Sequence, residues 1–159
     1  MTYEEQIGTN LKLNLTKANN NKIFLENIYN YNYTIPTQIN NTIFIWNNHN
    51  NNITLNNRCN HIFIYNCSNI ILRNVHCLTG ITILNSNRCK ILFKVVPSYT
   101  IEISDSFDLI LNSVFFLLPI LFKNCSFTLV KSINHQVIDY FKILDDNIFS
   151  NWNYEYFNF

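Results

Sequence analysis

The side chains that could carry acid–base chemistry are few in this sequence. Two close aspartate pairs occur, Asp105 with Asp108 and Asp145 with Asp146. Two carboxylates beside a strand are the minimum for glycoside hydrolysis, so the first pair supports the alternative of a carbohydrate-active protein. Because such residues more often belong to a solvated loop, we expect no catalytic residue and no enzyme activity.

Histidine and cysteine do not form a metal-ligand pattern. The four histidines and five cysteines contain neither a Cys-x2-Cys nor a His-x3-His spacing, and zinc sites are built from such sets. Neither Gly8 nor Gly80 has a second glycine or a Lys-Ser/Thr pair beside it, as a phosphate-binding loop would require. We therefore predict no metal and no cofactor.

The cysteines instead follow a repeated phrase that runs from Cys59 to Ser113. Each phrase is an apolar-variable-apolar triplet, and successive triplets begin 8 to 11 residues apart. They begin at Ile62, Ile70, Ile81, Ile91, Ile101 and Leu109. A spacing of two places both apolar side chains on one face of a strand. Because strands this short cannot bury enough surface alone, neighbouring repeats must stack.

Asparagine and cysteine mark the corners between these strands. Asparagine tolerates the left-handed backbone region that a tight corner needs, and a small apolar thiol suits an inward-facing corner. The corner residues expected are Asn66, Asn74, Asn85 and Asn112, with Cys59, Cys67, Cys77, Cys89 and Cys125 facing inward. The sequence therefore predicts an all-β fold, a β-helix with two strands and about twenty residues in each coil.

Length and composition restrict the class of partner. The chain has 159 residues, which is typical of one domain. Its net charge is +1 with 13% charged residues, which argues against nucleic-acid binding. The longest apolar run, 114–122, contains Pro119 and is too short to span a membrane. Without a secretory signal or paired cysteines, we expect reduced thiols and a cytoplasmic location.

The domain is interpreted as one β-helix over residues 1–159. Residues 1–22 form an N-terminal arm, 23–138 the coils, and 139–159 an aromatic cap or dimerisation strands. The open end of a β-helix exposes unpaired backbone and must be covered. The aromatic residues proposed for this cover, on the same chain or on a partner, are Phe149, Trp152, Tyr154, Tyr156 and Phe157.

Charged residues follow one another through neighbouring segments of the repeat. These residues are Arg73, Arg88, Lys90, Lys94, Glu102, Asp105 and Asp108. In a stack, residues one coil apart lie near each other, so we expect a mixed-charge band on one flank. Such a band either keeps the protein soluble or forms a protein-binding face, where charge determines specificity and association rate.

Residues 78–113, LTGITILNSNRCKILFKVVPSYTIEISDSFDLILNS, resemble the centre of the C-terminal β-helix domain of cyclase-associated proteins. The matching features are a turn with Gly80, a short turn holding Asn85 and Cys89, and the segment 96–103. The acidic turn 105–108 and the strand 111–113 also match. The resemblance extends loosely over residues 23–157, including Trp152-Asn153 as a match to a Trp-Asn pair in the terminal hairpin.

This resemblance implies a right-handed parallel β-helix that dimerises by exchanging C-terminal strands. It also implies binding of monomeric actin in its ADP form and promotion of nucleotide exchange on it, without catalysis by the protein itself. An actin contact is expected among the seven charged residues of residues 73–108. The five aromatic residues near the C-terminus are the candidates for dimerisation.

Two further functional interpretations remain open beside that of a carbohydrate-active protein. Tubulin-folding cofactor C domains share the β-helix and act on a small GTPase or tubulin through a Gln-x-Arg motif, whose arginine stabilises the transition state. No Gln-x-Arg occurs in this sequence, which makes that reading weaker. The other is a structural member of the same family that dimerises and binds no partner.

Overall fold

The computed structural model describes residues 21–115, 118–145 and 153–157, with only the backbone described for Asp145 and 153–157. Twelve strands and no helix occur in these residues. The first eight strands are short: β1 (Lys22–Glu26), β2 (Asn32–Ile35), β3 (Thr42–Trp46), β4 (His49–Leu55), β5 (Cys59–Tyr65), β6 (Ser68–Val75), β7 (Cys77–Leu84) and β8 (Lys90–Phe93). The others are β9 (Ile101–Ser113), β10 (Leu118–Ile133), β11 (Gln136–Asp145) and β12 (Asn153–Phe157).

Alternate strands stack into two parallel faces, which confirms the predicted β-helix. On the odd face, β1, β3, β5 and β7 pair in turn, followed by the first halves of β9 and β10. On the even face, β2, β4, β6 and β8 pair in turn, followed by the second halves of the same two strands. One passage over both faces is a coil, and the described residues contain six.

The repeat determines which residues form the hydrophobic core. Equivalent inward residues of the odd face follow one another every 19 or 20 residues, at Ile23, Ile43, Ile62, Ile81, Ile101 and Ile120. All of them are fully buried, as are both apolar members of nearly every predicted triplet. Burial of one such side chain contributes about 1.5–3 kcal/mol. The stack of isoleucines therefore holds the coils together.

Asparagines with positive φ form two columns along the corner between the faces. The first Asn column contains Asn27, Asn47, Asn66, Asn85, Asp105 and Asn124, and the second contains Asn30, Asn50, Asn69, Arg88 and Asp108. Side chains bond along each column, with Asn47 Nδ2 donating to Asn27 Oδ1 at 2.7 Å. In the second column, Asn69 Nδ2 donates to Asn50 Oδ1 at 2.7 Å. The columns supply the left-handed backbone that turns each coil.

The corner predictions are confirmed with one exception. Asn66, Asn74 and Asn85 have positive φ. Asn112 does not mark a corner, because it lies within β9 opposite Leu92 of β8. The error arose because an outward-facing strand residue at the end of a triplet has the same spacing as a corner residue. The inward placement of all five cysteines is confirmed, since each is buried and free.

Antiparallel strands cover the last coil. β11 pairs with the second half of β10 after a two-residue turn, Asn134-His135, in which both residues have positive φ, as a tight hairpin requires. β12 pairs with the first half of β10, between Leu118 and Phe122. The coil boundary inferred from sequence at residue 138 falls inside β11. Both halves of the last coil thus gain backbone partners.

Gly80 is required where β7 approaches β5. Its φ is +155°, and a Cβ there would lie 2.8 Å from Cε1 of His61 and 3.1 Å from the carbonyl oxygen of Thr100. We expect Gly80→Ala to lower the free energy of unfolding by roughly 1–3 kcal/mol, because the clash adds to an unfavourable φ. Urea denaturation of the two proteins measures the difference. Equal urea midpoints of the variant and the parent protein would show that the neighbouring coils accommodate the added methyl group without cost, against this prediction.

Candidate functional site

The seven charged candidates lie on three separate surfaces. Arg73, Lys90 and Lys94 line one groove on the even face. Glu102 is exposed on the odd face, paired in register with Thr82. The remaining three, Arg88, Asp105 and Asp108, occupy the corner columns. The single mixed-charge band expected from the repeat is therefore not formed, because the two faces point in opposite directions.

The groove is basic and is built by the coil step. Lys90 of β8 lies opposite Ile71 of β6, so Arg73, two residues further along β6, projects from the same outer face. We call this surface the basic groove; its volume is about 550 Å³. It is lined by Arg73, Asn74, Lys90, Leu92, Phe93, Lys94, Asn112, Ser132 and His135.

The composition of the basic groove favours contact with an anionic surface of a partner. Three cationic side chains line it, and the described lining residues include no carboxylate. Arg73 Nε donates to Asn52 Oδ1 at 2.9 Å, which holds the guanidinium over the even face. The hydroxyl of Ser132 bonds to the amide oxygen of Asn112 and fixes the far wall beside the hairpin turn. Such a surface attracts carboxylates of a partner protein and accelerates encounter with it.

The corner candidates already have a structural role. Arg88, Asp105 and Asp108 have φ values of 54°, 50° and 57°, in columns otherwise occupied by asparagine. The carboxylate of Asp105 accepts a hydrogen bond from Asn124 Nδ2 at 2.9 Å. The amide of Asp108 donates to Ser126 Oγ at 2.9 Å. Positive φ at the corner explains why aspartate occurs at both positions, because Asp, like Asn, tolerates this backbone region. An acid–base role is not needed to explain the pair.

Replacing Arg88 tests whether this residue has a structural role in the corner. We expect Arg88→Asn to raise the free energy of unfolding by roughly 1 kcal/mol, because Asn adopts positive φ at lower cost than Arg and extends the second Asn column. Urea denaturation measures this gain. Arg73→Asn, on a strand of the same molecule, should give no gain. A loss of stability in Arg88→Asn would mean that the guanidinium makes a necessary contact.

An exposed aromatic surface on the odd face was not anticipated from the sequence. The rings of Phe24, Phe44 and Phe63 stack on consecutive coils with centroids 5.0 and 5.1 Å apart. Beside them, Trp46 and Tyr65 are 42% and 46% exposed. The signal was present, because the middle residues of these triplets are aromatic at the coil step. It lay on the outer face, where the repeat makes no demand on residue type.

His61 lies at the edge of this aromatic surface. Its ring is 4.4 Å from that of Phe63, and its Nε2 is hydrogen-bonded to Thr82 Oγ1 at 3.0 Å. Burial lowers the pKa of His61, and the Glu102 carboxylate offsets part of that shift. Among the described residues, no group of three His, Cys, Asp or Glu side chains is placed to hold a metal ion.

The dimerisation candidates are only partly described. Phe149 and Trp152 lie outside the described residues. Tyr154, Tyr156 and Phe157 belong to β12, whose backbone pairs with Leu121, Pro119 and Leu118 of β10 in the same chain. Within the described part of the chain, no helix is long and apolar enough to cross a membrane.

Comparison with known proteins identifies the family. A model of the adenylate cyclase associated (CAP) C-terminal family matches residues 12–134. The crystal structure of a cyclase-associated protein from Cryptosporidium parvum is similar in fold, with a TM-score of 0.67 and 21% identity over 78% of each chain. No curated protein matches. Because the family model spans all six coils, this chain belongs to the adenylate cyclase associated (CAP) C-terminal family.

Proposed function

We propose that this protein binds monomeric actin in the cytoplasm, prefers its ADP form and promotes exchange of the bound nucleotide. The observation that carries the proposal is the family match over residues 12–134. The protein acts as a binding partner and not as an enzyme. It returns actin monomers to the ATP state by stabilising an actin conformation that releases nucleotide.

The energetic requirement of this activity is modest. A partner can shift a conformational equilibrium only by its differential affinity for the two states. Accelerating exchange about a hundredfold requires about 2.7 kcal/mol of preference for the open, weakly nucleotide-holding state. A few charge-assisted hydrogen bonds made only to that state supply this amount, because each contributes about 1.5–3 kcal/mol.

The basic groove is the surface we propose for part of the actin contact. It gathers Arg73, Lys90 and Lys94 on one face, with Asn112 and His135 as further hydrogen-bonding groups. We assign Glu102, exposed on the odd face, only a peripheral part, because it lies on a different face from the groove. Arg88, Asp105 and Asp108 are assigned to the corners.

Nucleotide release from actin tests the exchange activity. Monomeric actin loaded with a fluorescent ADP analogue is mixed with excess unlabelled ATP, with and without micromolar protein. We expect the protein to accelerate the loss of fluorescence in proportion to its concentration. An unchanged release rate would contradict exchange promotion. A direct binding measurement on the same samples then distinguishes a complex that leaves nucleotide exchange unchanged from the absence of a complex.

We also propose that the protein is a homodimer that exchanges β12 between chains. Support comes from the first half of β10, which needs a partner strand between Leu118 and Phe122. A second copy of β12 satisfies the same register as the chain's own. Size-exclusion chromatography with light scattering should give twice the 18.9 kDa of one chain. A mass of one chain at micromolar concentration would contradict the dimer.

A further inference from the structure

Two of the five buried thiols touch each other. Sγ of Cys59 lies 3.5 Å from Sγ of Cys77, with Cys59 fully buried and Cys77 4% exposed. Tyr99, which is also buried, lies on the next coil. The three residues lie on consecutive coils, where the chain returns from the even face to the odd face.

The coil step places the two cysteines in register. Cys59 begins β5 and Cys77 begins β7, and the two residues are paired across the parallel ladder. Neighbouring strands are about 4.8 Å apart. That separation falls within the range of about 4.4–6.8 Å between Cα atoms that a disulfide requires. The thiols can therefore be joined without moving either coil far.

Other cysteines use their sulfur differently. The Cys67 thiol donates to the carbonyl oxygens of Tyr65 and Ile45, at 3.3 and 3.4 Å. The Cys89 thiol donates to the carbonyl oxygen of Asn87 at 3.4 Å. Burial raises the pKa of Cys67 to about 11 and that of Cys89 to about 12. These two thiols remain protonated packing groups.

We propose that Cys59 and Cys77 form an oxidative modification site, at which hydrogen peroxide converts the contacting thiols into a disulfide that joins the third and fourth coils. The free thiols are the resting state. Peroxide is a suitable oxidant because it is small.

The contact between the thiols shifts their pKa values in opposite directions. The Cys77 side chain lowers the pKa of Cys59, against the opposing effect of burial. The pKa of Cys77 is raised by the same contact and by burial. Because the thiolate is the nucleophile, the thiol that ionises attacks peroxide first and its neighbour resolves the product.

The reaction proceeds in two balanced steps. The sulfur of one cysteine of the pair attacks one oxygen of peroxide, so an S–O bond forms, the O–O bond breaks, and hydroxide leaves with the thiol proton as water. The sulfur of the other cysteine then attacks the resulting sulfenic acid, forming the S–S bond and releasing a second water. Two thiols lose two electrons in total, and one peroxide is reduced to two waters.

Thiol counting and peptide mapping test the proposal on the whole protein. After peroxide treatment and denaturation, we expect three reactive thiols in place of five. Trypsin leaves Cys59 and Cys67 on one peptide, because it cleaves after Arg58 and Arg73. Chymotryptic cleavage after Tyr65 separates them, so mass spectrometry should find a reducible Cys59–Cys77 link. Five thiols remaining, or a link through another cysteine, would overturn the proposal.

Matched serine variants test whether the oxidation is specific to the Cys59–Cys77 pair. Cys59→Ser and Cys77→Ser should each form no link and lose at most one thiol under the same treatment, because the remaining member of the pair has no neighbouring thiol to resolve its sulfenic acid. Cys89→Ser should still form the link and lose two. If Cys59→Ser fails to fold, Cys77→Ser gives the same information, and circular dichroism checks both. Equal thiol loss in Cys77→Ser and the parent protein would contradict a paired site.

Discussion

Ile83→Asp is expected to destabilise the fold by several kcal/mol. Ile83 is fully buried in β7, in register with Ile64 of the preceding coil and Ile103 of the next. The substitution removes apolar burial and places a carboxylate with no partner among apolar side chains. We expect a loss of at least about 4 kcal/mol in the free energy of unfolding. Since domains of this kind are stable by about 5–15 kcal/mol, the loss is a large fraction of the total stability.

Ile71→Asp is the matched control for this variant. Ile71 is the same residue type in the neighbouring coil, but it is the middle residue of its triplet and faces outward, half-buried. It lies opposite Lys90, so a carboxylate there meets water and a cation. We expect a change within about 1 kcal/mol. Urea or thermal denaturation measures both variants. Similar losses in the two would contradict the inward and outward assignments.

Lys90→Glu is expected to weaken actin binding at least tenfold. The substitution places a carboxylate in a groove whose other charged lining residues are Arg73 and Lys94. It removes one attraction and adds one repulsion toward a carboxylate of the partner. A tenfold loss corresponds to about 1.4 kcal/mol, which is modest for reversing a charge at an interface. A titration of labelled actin monomer with each protein measures the dissociation constant.

The same substitution at Lys22 provides the control. Lys22 is exposed at the start of β1, on the odd face and in the first coil. Lys22→Glu changes the net charge equally but leaves the basic groove intact. We expect its affinity for actin to stay within about twofold of the parent. Raising the salt concentration should weaken the parent more than Lys90→Glu. Equal effects of the two variants would exclude the groove as the contact.

The fold was predictable because its inward positions repeat. A core residue such as Ile62 has its equivalents at Ile43 and Ile81, and only an apolar side chain fits between the coils. The asparagine corners were predictable for the same reason, since few residues adopt positive φ. The antiparallel direction of β11 could not be read from its residues. An alternating strand has the same pattern whether it runs parallel or antiparallel to its neighbour.

The candidate site was predictable only in part. The closeness of Arg73 and Lys90 follows from the coil step, so the basic groove was accessible to sequence reasoning. The corner roles of Arg88 and Asp105 were not, because a charged residue in an asparagine column looks like a surface charge. The contact between Cys59 and Cys77 was also missed. The irregular register between β5 and β7 shortens the cysteine spacing to 18 residues, below the usual step.

Direct binding of monomeric actin is the measurement that tests the account most directly. Sedimentation velocity of labelled ADP-actin, with micromolar protein added, should show a faster-sedimenting complex. With ATP-actin under the same conditions, the proposed preference for the ADP form predicts that the complex forms only at higher protein concentration. Absence of any complex with ADP-actin, from a sample that is folded and free of aggregates, would contradict the proposed function.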